Sequence, residues 1–476
     1  MKKRSALART RELILWLAPF LLSAACNAAV FRVNSTLDQV DLDANDLRCQ
    51  SAQGLCTLRA AIQQANADVA FDEIILPPGT YDVSLVGDAP EDMAVSGDLD
   101  IRHALWLHLD GNVPIEFGAS VVTSASFDQR ERIFDIQTSA ADAVVLFDDI
   151  QISFGYDHSP LGGGGVLLRA NSRAKFERVM IYANDANVRG GAVSVFGALT
   201  MNGGIVFDNH QTSFVPTPSQ PPAGGGAFYV GPNAFLALER IEVDSNQHER
   251  GGAIYAEGTS TIQIERSSIQ GNGGTPGTDE MFFLDGPVQL SISNSYLLAG
   301  FGLLTARGGA NTALVQTTLA RSTGVEAGAP VSLQGAATKL SIANSALEAW
   351  SPAGCASNTG IITSLGGNVF VQATPCAMTA GPSDRVVNDL VLASVPFFVD
   401  VLGFTQKPAN IFVSAPTANS PLIDAGLRSH CAQADIVGAA RPAPGRTGAP
   451  ARCDAGAFEW PLFHMLIDGF ENASAE

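Results

Sequence analysis

Short runs of alternating apolar and polar residues repeat along the middle of this chain. In each unit an apolar residue is followed five positions later by another, and three positions further on by a turn position. The eight units are Phe147/Ile152/Gly155, Phe176/Ile181/Asn184, Met201/Val206/Asn209, Leu238/Val243/Asn246, Ile264/Ile269/Asn272, Ile292/Leu297/Gly300, Leu314/Leu319/Ser322 and Ile342/Leu347/Trp350. Successive units lie 22 to 37 residues apart, which is the sequence signature of a solenoid.

The runs inside each unit have the periodicity of β-strands. Segments 261–264 and 290–293 alternate apolar and polar residues with period two. Gly-Gly-Ala steps at 190–192, 225–227 and 251–253 precede further short apolar runs, and glycine permits the positive φ values of a tight corner. We therefore predict an all-β fold, a right-handed parallel β-helix with one coil per unit. An antiparallel β-sandwich does not explain the constant internal offset.

Asparagine occupies the turn position in four consecutive units. Its side chain tolerates the left-handed conformation, and stacked amides on neighbouring coils can hydrogen-bond to one another. The pattern predicts a structural ladder made of Asn184, Asn209, Asn246 and Asn272.

The N-terminal residues have the features of an export signal. Lysines and arginines precede an apolar run at 13–25 that is too short to span a bilayer, so residues 1–28 are predicted to be a secretory signal peptide. A lipoprotein with an acylated Cys26 remains an alternative, although Ser23 stands where a lipobox usually has leucine.

Six cysteines remain once this signal is removed. Their closeness in sequence predicts three local disulfides in an oxidising compartment, and no Cys-x-x-Cys spacing indicates a metal site. The expected pairs are Cys49–Cys56, Cys355–Cys376 and Cys431–Cys453.

The formal net charge of −19 narrows the choice of partners. A strongly acidic surface repels nucleic acid and anionic membranes, so we expect neither as a partner. No other segment is long and apolar enough to predict a membrane span. We expect the exported protein to be a monomer.

Residues 57–66 have the apolar spacing of an amphipathic helix, with Thr57 as its N-cap. An open β-helix end exposes core and strand edges, so we predict that this helix is an N-terminal cap. The same phrase, with Cys56, Leu58 and Arg59, resembles the CSLREA domain of secreted bacterial β-helix proteins. Ala60 departs from the glutamate of that motif, and the resemblance covers residues 30–105 as cap and first coils.

The far end resembles a second family. Phrases at 420–426 and 453–459 are similar to the choice-of-anchor Q domain, which implies a module at 416–460 that closes the C-terminal end. The tail, 461–476, is similar to a phrase found on secreted proteins of Gram-negative bacteria, which implies an extracellular or outer-surface location. Between the two families we expect β-helix repeats over 106–350 and irregular last coils over 351–415.

The fold alone does not decide whether the protein is an enzyme, because parallel β-helices include both polysaccharide-degrading enzymes and inert adhesins. A hydrolase needs paired carboxylates, and a lyase needs a base and often Ca²⁺. The candidate catalytic residues are weak and would not stack in one line: Asp208, Asp244, His210 and His248.

The missing catalytic constellation favours a secreted or cell-surface protein that adheres to or binds a polysaccharide or surface glycan without catalysis. The alternative is a polysaccharide lyase or glycoside hydrolase of the pectate-lyase-like class. No cofactor is expected, and Ca²⁺ is expected only under that alternative.

Overall fold

The structure is a computed structural model, and it describes fourteen stretches of the chain. These are residues 28–87, 92–111, 120–124, 131–138, 143–210, 224–248, 250–273, 280–300, 302–321, 331–348, 359–371, 378–396, 412–443 and 450–461. The predicted signal peptide (apart from its last residue), the pair Cys355–Cys376 and nearly all of the tail lie outside these residues.

The described elements are one α-helix and a long series of short strands. In chain order they are β1 (Val30–Arg32), α1 (Leu58–Ala65), β2 (Asp72–Leu76), β3 (Gly79–Val83), β4 (Leu99–Ile101), β5 (Leu105–Leu109), β6 (Ser120–Ser124), β7 (Phe134–Ile136), β8 (Val144–Asp148), β9 (Gln151–Ser153), β10 (Tyr156–Asp157), β11 (Val166–Leu168), β12 (Arg173–Tyr182), β13 (Asp185–Ala186), β14 (Val193–Val195), β15 (Ala198–Phe207), β16 (Phe228–Val230), β17 (Phe235–Glu239) and β18 (Glu242–Asp244). The series continues with β19 (Ile254–Glu257), β20 (Thr261–Glu265), β21 (Ser268–Gln270), β22 (Glu280–Asp285), β23 (Gln289–Ser293), β24 (Tyr296–Ala299), β25 (Gly302–Arg307), β26 (Asn311–Val315), β27 (Thr318–Arg321), β28 (Val331–Gln334), β29 (Lys339–Ala343), β30 (Ala346–Leu347), β31 (Ile361–Gly366), β32 (Val369–Val371), β33 (Arg385–Val387), β34 (Leu392–Pro396) and β35 (Phe412–Pro416).

The strands stack into three parallel ladders, one strand of each ladder per complete coil. Sheet 1 runs β1-β2-β5-β8-β12-β15-β17-β20-β23-β26-β29-β31. Sheet 2 runs β3-β6-β9-β12-β15-β18-β21-β24-β27-β30-β32-β33. Sheet 3 runs β4-β7-β11-β14-β16-β19-β22-β25-β28. This is the predicted right-handed parallel β-helix.

The repeated apolar positions face the interior, as the sequence pattern predicts. In all eight units the first apolar residue lies in sheet 1, the second lies in sheet 2, and both are buried. Because equivalent residues pair from coil to coil, like side chains stack; the rings of Phe147 and Phe176 lie 4.9 Å apart and nearly parallel. One continuous core therefore runs along the axis.

The corner between sheets 1 and 2 is made by single residues in the left-handed conformation. Asp149, Arg178, Arg240, Arg266 and Asn294 occupy it in five coils with φ between 46° and 58°, and Gly203 and Gly204 take positive φ in the coil between Arg178 and Arg240. Such residues cost conformational energy, but each sits where the chain turns between two paired strands. The four charged side chains among them reach neighbouring coils, as in the bidentate pair between Arg178 and Asp149.

The corner after sheet 2 contains the four stacked asparagines. The Nδ2 of each donates to the Oδ1 of the next, over 3.0 Å from Asn184 to Asn209, 2.8 Å from Asn209 to Asn246 and 2.9 Å from Asn246 to Asn272. Each Oδ1 also accepts the backbone N–H of the asparagine before it. All four side chains are buried, so these bonds form away from water.

Helix α1 begins after Thr57, whose hydroxyl accepts the backbone N–H of Ala60 at 3.1 Å. All eight helical residues are buried, and the apolar ones belong to the same core as the first coils. The disulfide Cys49–Cys56 lies just before the helix, and Cys431–Cys453 forms the second described pair.

The described part of the C-terminal module lies along the side of the β-helix. Ala457 N donates to Thr318 Oγ1 at 2.9 Å, and Tyr296 Oη donates to Ser414 Oγ at 3.2 Å, both on the outer face of sheet 2. The outer face of sheet 2 carries apolar residues, Met180 and Ile205 among them, that form a second core with these C-terminal residues. The closure of the C-terminal end that the family resemblance implies stays a prediction.

Within the described part of the chain, no helix has the length and apolar character needed to cross a membrane.

We predict that Asn246→Ala lowers the free energy of unfolding by about 3 kcal/mol, because it leaves partners on two neighbouring coils without a hydrogen bond in the interior. Chemical denaturation monitored by circular dichroism measures this. Asn311→Ala is the matched control: the side chain of Asn311 is exposed and bonds only the exposed Gln289 on the preceding coil. Equal losses in the two variants would contradict a special role for the ladder.

Candidate functional site

An open pocket of about 470 Å³ lies at the N-terminal part of sheet 3. Its wall comes from three places: the chain leading into β4, the chain around β7, and the loop after β10. The pocket carries an excess of acidic groups, and we call it the acidic pocket. Its charged lining residues are Asp92, Asp98, Glu131, Arg132, Asp135, Asp157, His158 and Arg169.

Arg132 is the buried centre of this pocket. Its Nη1 donates to Asp98 Oδ2 at 3.1 Å and to Asp135 Oδ2 at 3.0 Å, while its Nη2 donates to Asp157 Oδ1. The remaining donors are used as well, since Nη2 reaches Ser159 and Nε donates to a backbone carbonyl. One guanidinium thus fixes three carboxylates that belong to three successive coils.

Asp135 is held from a second side by Arg169. The Nε of Arg169 donates to Asp135 Oδ1 at 2.8 Å and its Nη2 to Asp135 Oδ2 at 2.6 Å. The side chain of Asp135 is 5% exposed, so it is a fixed anion in the wall. Both arginines are thus paired with carboxylates of the pocket, Arg132 in the interior and Arg169 with its side chain 33% exposed.

Asp98 differs from the other carboxyls of the pocket because its pKa lies near neutral pH. Burial raises the pKa of Asp98 to about 7, which Arg132 opposes and Asp135 reinforces. Its side chain nevertheless keeps 20% of its exposure. Burial also raises the pKa of Asp157, against the opposing effect of Arg132. Asp98 can therefore carry a proton at the pocket wall.

Glu131 is another partly exposed carboxyl of the pocket. Burial raises its pKa, and His158 and Arg132 oppose the rise. Its carboxyl carbon lies 4.0 Å from the point where a Cβ on Gly97 would stand. Gly97 itself adopts a φ of +63°, which favours glycine. The carboxyl of Glu131 thus lies at the glycine turn that precedes Asp98, and its charge contributes to the raised pKa of Asp98.

The pocket wall is held in place by the predicted cap motif. Arg59 on α1 forms a bidentate pair with Asp38, and its other donors bond the carbonyl oxygens of Ala94, Gly97 and Asp98. The side chain of Arg59 is fully buried. This residue thus fixes the backbone from which Asp98 projects.

The candidate residues from the sequence lie elsewhere. His210 has its Nε2 3.1 Å from Asp208 Oδ1 and its Nδ1 3.9 Å from Asp185 Oδ1, and Asp208 N donates to Asp244 O. Asp208 and Asp244 are thus neighbours on adjacent coils, but neither lines the acidic pocket.

His248 is a structural residue. Burial lowers its pKa to about 4, and its Nδ1 accepts the backbone N–H of Arg250 at 2.8 Å. It is therefore neutral at neutral pH. Among the residues that the structure describes, no group of three or more histidine, cysteine, aspartate and glutamate side chains converges to hold a metal ion.

The sequence does not predict the acidic pocket, because the residues of the pocket follow no constant spacing. Asp98, Asp135 and Asp157 are separated by loops of different lengths, so the repeat register does not align them. The available signal was Asp98 itself, which lies within the segment 30–105 that resembles the CSLREA domain.

The fold is similar to that of polysaccharide-acting enzymes of known structure. A structure titled "Crystal structure of pectate lyase Pel9A" matches with a TM-score of 0.52 at 14% sequence identity, over 90% of this chain and 96% of that chain. A rhamnogalacturonan lyase matches with a TM-score of 0.42 at 11% identity, over 75% of this chain and 87% of that one. The first likeness defines the class, a pectate-lyase-like parallel β-helix, and at this identity it shows the fold alone.

No family model matches the chain. No curated protein matches it either.

We predict that Asp98→Asn changes how stability depends on pH. The ordinary pKa of this carboxyl is 3.8 and its folded value is about 7, so between these values the folded chain binds the extra proton. The group's contribution to stability is therefore lost as pH rises through that window, and the amide removes this loss. The melting temperature of Asp98→Asn relative to the native protein should be higher at about pH 8 than at about pH 4.5. Parallel melting profiles for the two proteins would contradict the assignment.

Proposed function

We propose that this protein is an extracellular, carbohydrate-active β-helix protein that hydrolyses a glycan in the acidic pocket. The observation that carries the proposal is Asp98, a partly exposed carboxyl with a pKa of about 7 beside the second carboxyl Glu131. Glycoside hydrolysis needs a protonated acid on the leaving oxygen and an ionised carboxylate to activate water or attack the sugar. Asp98 has the proton for the first role, and Glu131 supplies the second.

The charge of the pocket selects among the reactions of the pectate-lyase-like class. The wall carries five carboxyls, Asp92, Asp98, Glu131, Asp135 and Asp157, against two arginines that are already paired. Such a surface repels a polyuronide chain and leaves no free arginine to remove a proton next to a uronate carboxylate. Hydrolysis of a glycan without acidic groups therefore fits this pocket better than elimination on a polyuronide.

A binding protein without turnover is the second candidate. The observation in its favour is the pairing of Asp98, Asp135 and Asp157 with Arg132, which holds three pocket carboxyls in fixed positions. The two candidates share a saccharide ligand and differ only in whether Asp98 releases its proton.

The proposed location is outside the cell. The two described disulfides and the likeness to pectate-lyase-like proteins support an extracellular protein. The finer proposal is a Gram-negative surface protein with a CSLREA-like first module and a choice-of-anchor Q-like module. It rests on the sequence phrases alone.

The test is to incubate the purified mature protein with neutral glycans and with polyuronides, following reducing ends and the absorbance of unsaturated uronates. We expect new reducing ends from a neutral glycan, with rates lowered about 100-fold or more in Asp98→Asn and in Glu131→Gln. Asp110→Asn is the matched control, because Asp110 is half-exposed, pairs with Arg32 and lies outside the pocket.

Unsaturated uronate products would overturn hydrolysis in favour of a lyase. Retention of a neutral glycan on an affinity column without turnover would support the binding protein, provided that the retention is lost in Glu131→Gln. Neither turnover nor retention would overturn both candidates.

A further inference from the structure

An acidic loop at residues 41–48 lies against helix α1, on the surface. Its acidic residues are spaced Asp41-x-Asp43-x-Asn45-Asp46. Asp41 Oδ1 accepts Asp43 N at 2.9 Å, and Asp46 Oδ1 accepts Arg48 N at 2.8 Å, so both carboxylates are turned back toward the loop. Within the described residues, neither Asp41 nor Asp46 forms a salt bridge, so two carboxylates approach each other without a cation.

The side chain of Gln64 ends at the point where the oxygens of this loop converge. Its Nε2 lies 2.9 Å from Asp41 Oδ1, 2.8 Å from Asp43 O, 3.4 Å from Asp46 Oδ1 and 3.3 Å from Arg48 O. An amide nitrogen has two hydrogens, so it cannot satisfy four acceptors. Four oxygens around one point are the arrangement expected of ligands around a cation.

The other end of the same amide is an independent sign of a missing ligand. Gln64 is fully buried, and its Oε1 has no hydrogen-bond partner. A buried carbonyl oxygen without a partner is costly. The two ends of an amide are exchanged by a half-turn of the group, and their assignment follows from hydrogen bonding. The half-turn exchanges Nε2 and Oε1, so it places Oε1 among the four loop oxygens, where a cation can hold it as a fifth oxygen ligand.

We propose that Asp41, Asp46 and Gln64, with the main-chain carbonyls of Asp43 and Arg48, form a binding site for Ca²⁺. The donor set is two carboxylates, two peptide carbonyls and one amide oxygen. Ca²⁺ takes six to eight such oxygens, and water reaches the remaining positions because Asp46 is exposed. Mg²⁺ fits less well, because it demands a strict octahedron and usually keeps several waters. The site has only two carboxylate ligands, so it is not one of the clusters of three or more acidic or histidine side chains.

The site is structural and stands apart from the acidic pocket. The loop that carries it is tied to α1 on one side and to the disulfide Cys49–Cys56 on the other. A bound ion replaces the unpaired charges of the loop with coordinate bonds, so it stabilises the folded chain through mass action.

The test is calorimetric titration of the chelator-treated mature protein with CaCl₂, together with its melting temperature in Ca²⁺ and in excess chelator. We expect one bound ion per chain and a higher melting temperature with Ca²⁺ than with the same concentration of Mg²⁺. Asp46→Asn should weaken binding by about tenfold or more, because it removes a charged ligand.

Asp43→Asn is the matched control in the same loop. Its carboxylate accepts the backbone N–H of Asn45 at 3.2 Å, and only its main-chain carbonyl belongs to the site. It removes the same charge and should bind Ca²⁺ nearly as the native protein does. Gln64→Glu should have the opposite effect, because it adds a third carboxylate to the site. This variant should bind Ca²⁺ more tightly than the native protein and melt at a lower temperature in chelator.

Three results would overturn the proposal. One is the absence of both heat and melting shift in the native protein. The second is unchanged binding in the Asp41→Asn/Asp46→Asn double variant, which would place the ion elsewhere. The third is an equal loss in Asp43→Asn and Asp46→Asn, which would mean diffuse attraction to an acidic surface. None of these readouts uses glycan turnover, so they are independent of the proposed hydrolysis.

Discussion

Each coil of this β-helix satisfies its backbone hydrogen bonds with the coils before and after it, and the rest of the structure depends on that pairing. Parallel pairing fixes which residues stack. A shift of the register by one residue would therefore move every side chain of a strand to the opposite face of its sheet. It also leaves polar corner groups at every turn that must be paired in the interior. The buried asparagine ladder provides that pairing, because each amide bonds both the backbone and the side chain of its neighbour.

The same constraint explains what the sequence could predict. The positions of residues that repeat with the coil, such as Ile181, Val206 and Asn209, can be predicted from the sequence, because strand pairing keeps the offset within each coil constant. The acidic pocket could not be predicted in this way. Its residues precede or follow the strands in loops of unequal length, and what unites Asp98, Asp135 and Asp157 is the reach of one side chain, Arg132. Nothing in a linear pattern marks that convergence.

The packing of the C-terminal residues against the outer face of sheet 2 could not be predicted from the sequence. Outward residues of sheet 2 include Met180, Ile205 and Tyr296, which look in sequence like ordinary alternation of a strand. In the structure they are buried beneath the module, where even Glu242 is inaccessible. Burial raises the pKa of Glu242, with Gln270 opposing the rise through a hydrogen bond of 2.7 Å. The outer face of sheet 2 can be recognised as a buried surface only when the structure shows the C-terminal residues that cover it.

Helix α1 joins the acidic loop to the acidic pocket through adjacent residues. Gln64 lies among the loop oxygens, while Gln63 accepts the backbone N–H of Asp41 at 2.7 Å and donates to the carbonyl of Ala94 at 3.0 Å. Arg59, on the same helix, donates to the backbone carbonyl of Asp98. Because these side chains are buried and their bonds directional, order in the loop is transmitted to the backbone that carries the pocket's protonatable carboxyl. The N-terminal motif thus holds the backbone at Asp98, the residue on which the proposed acid catalysis depends.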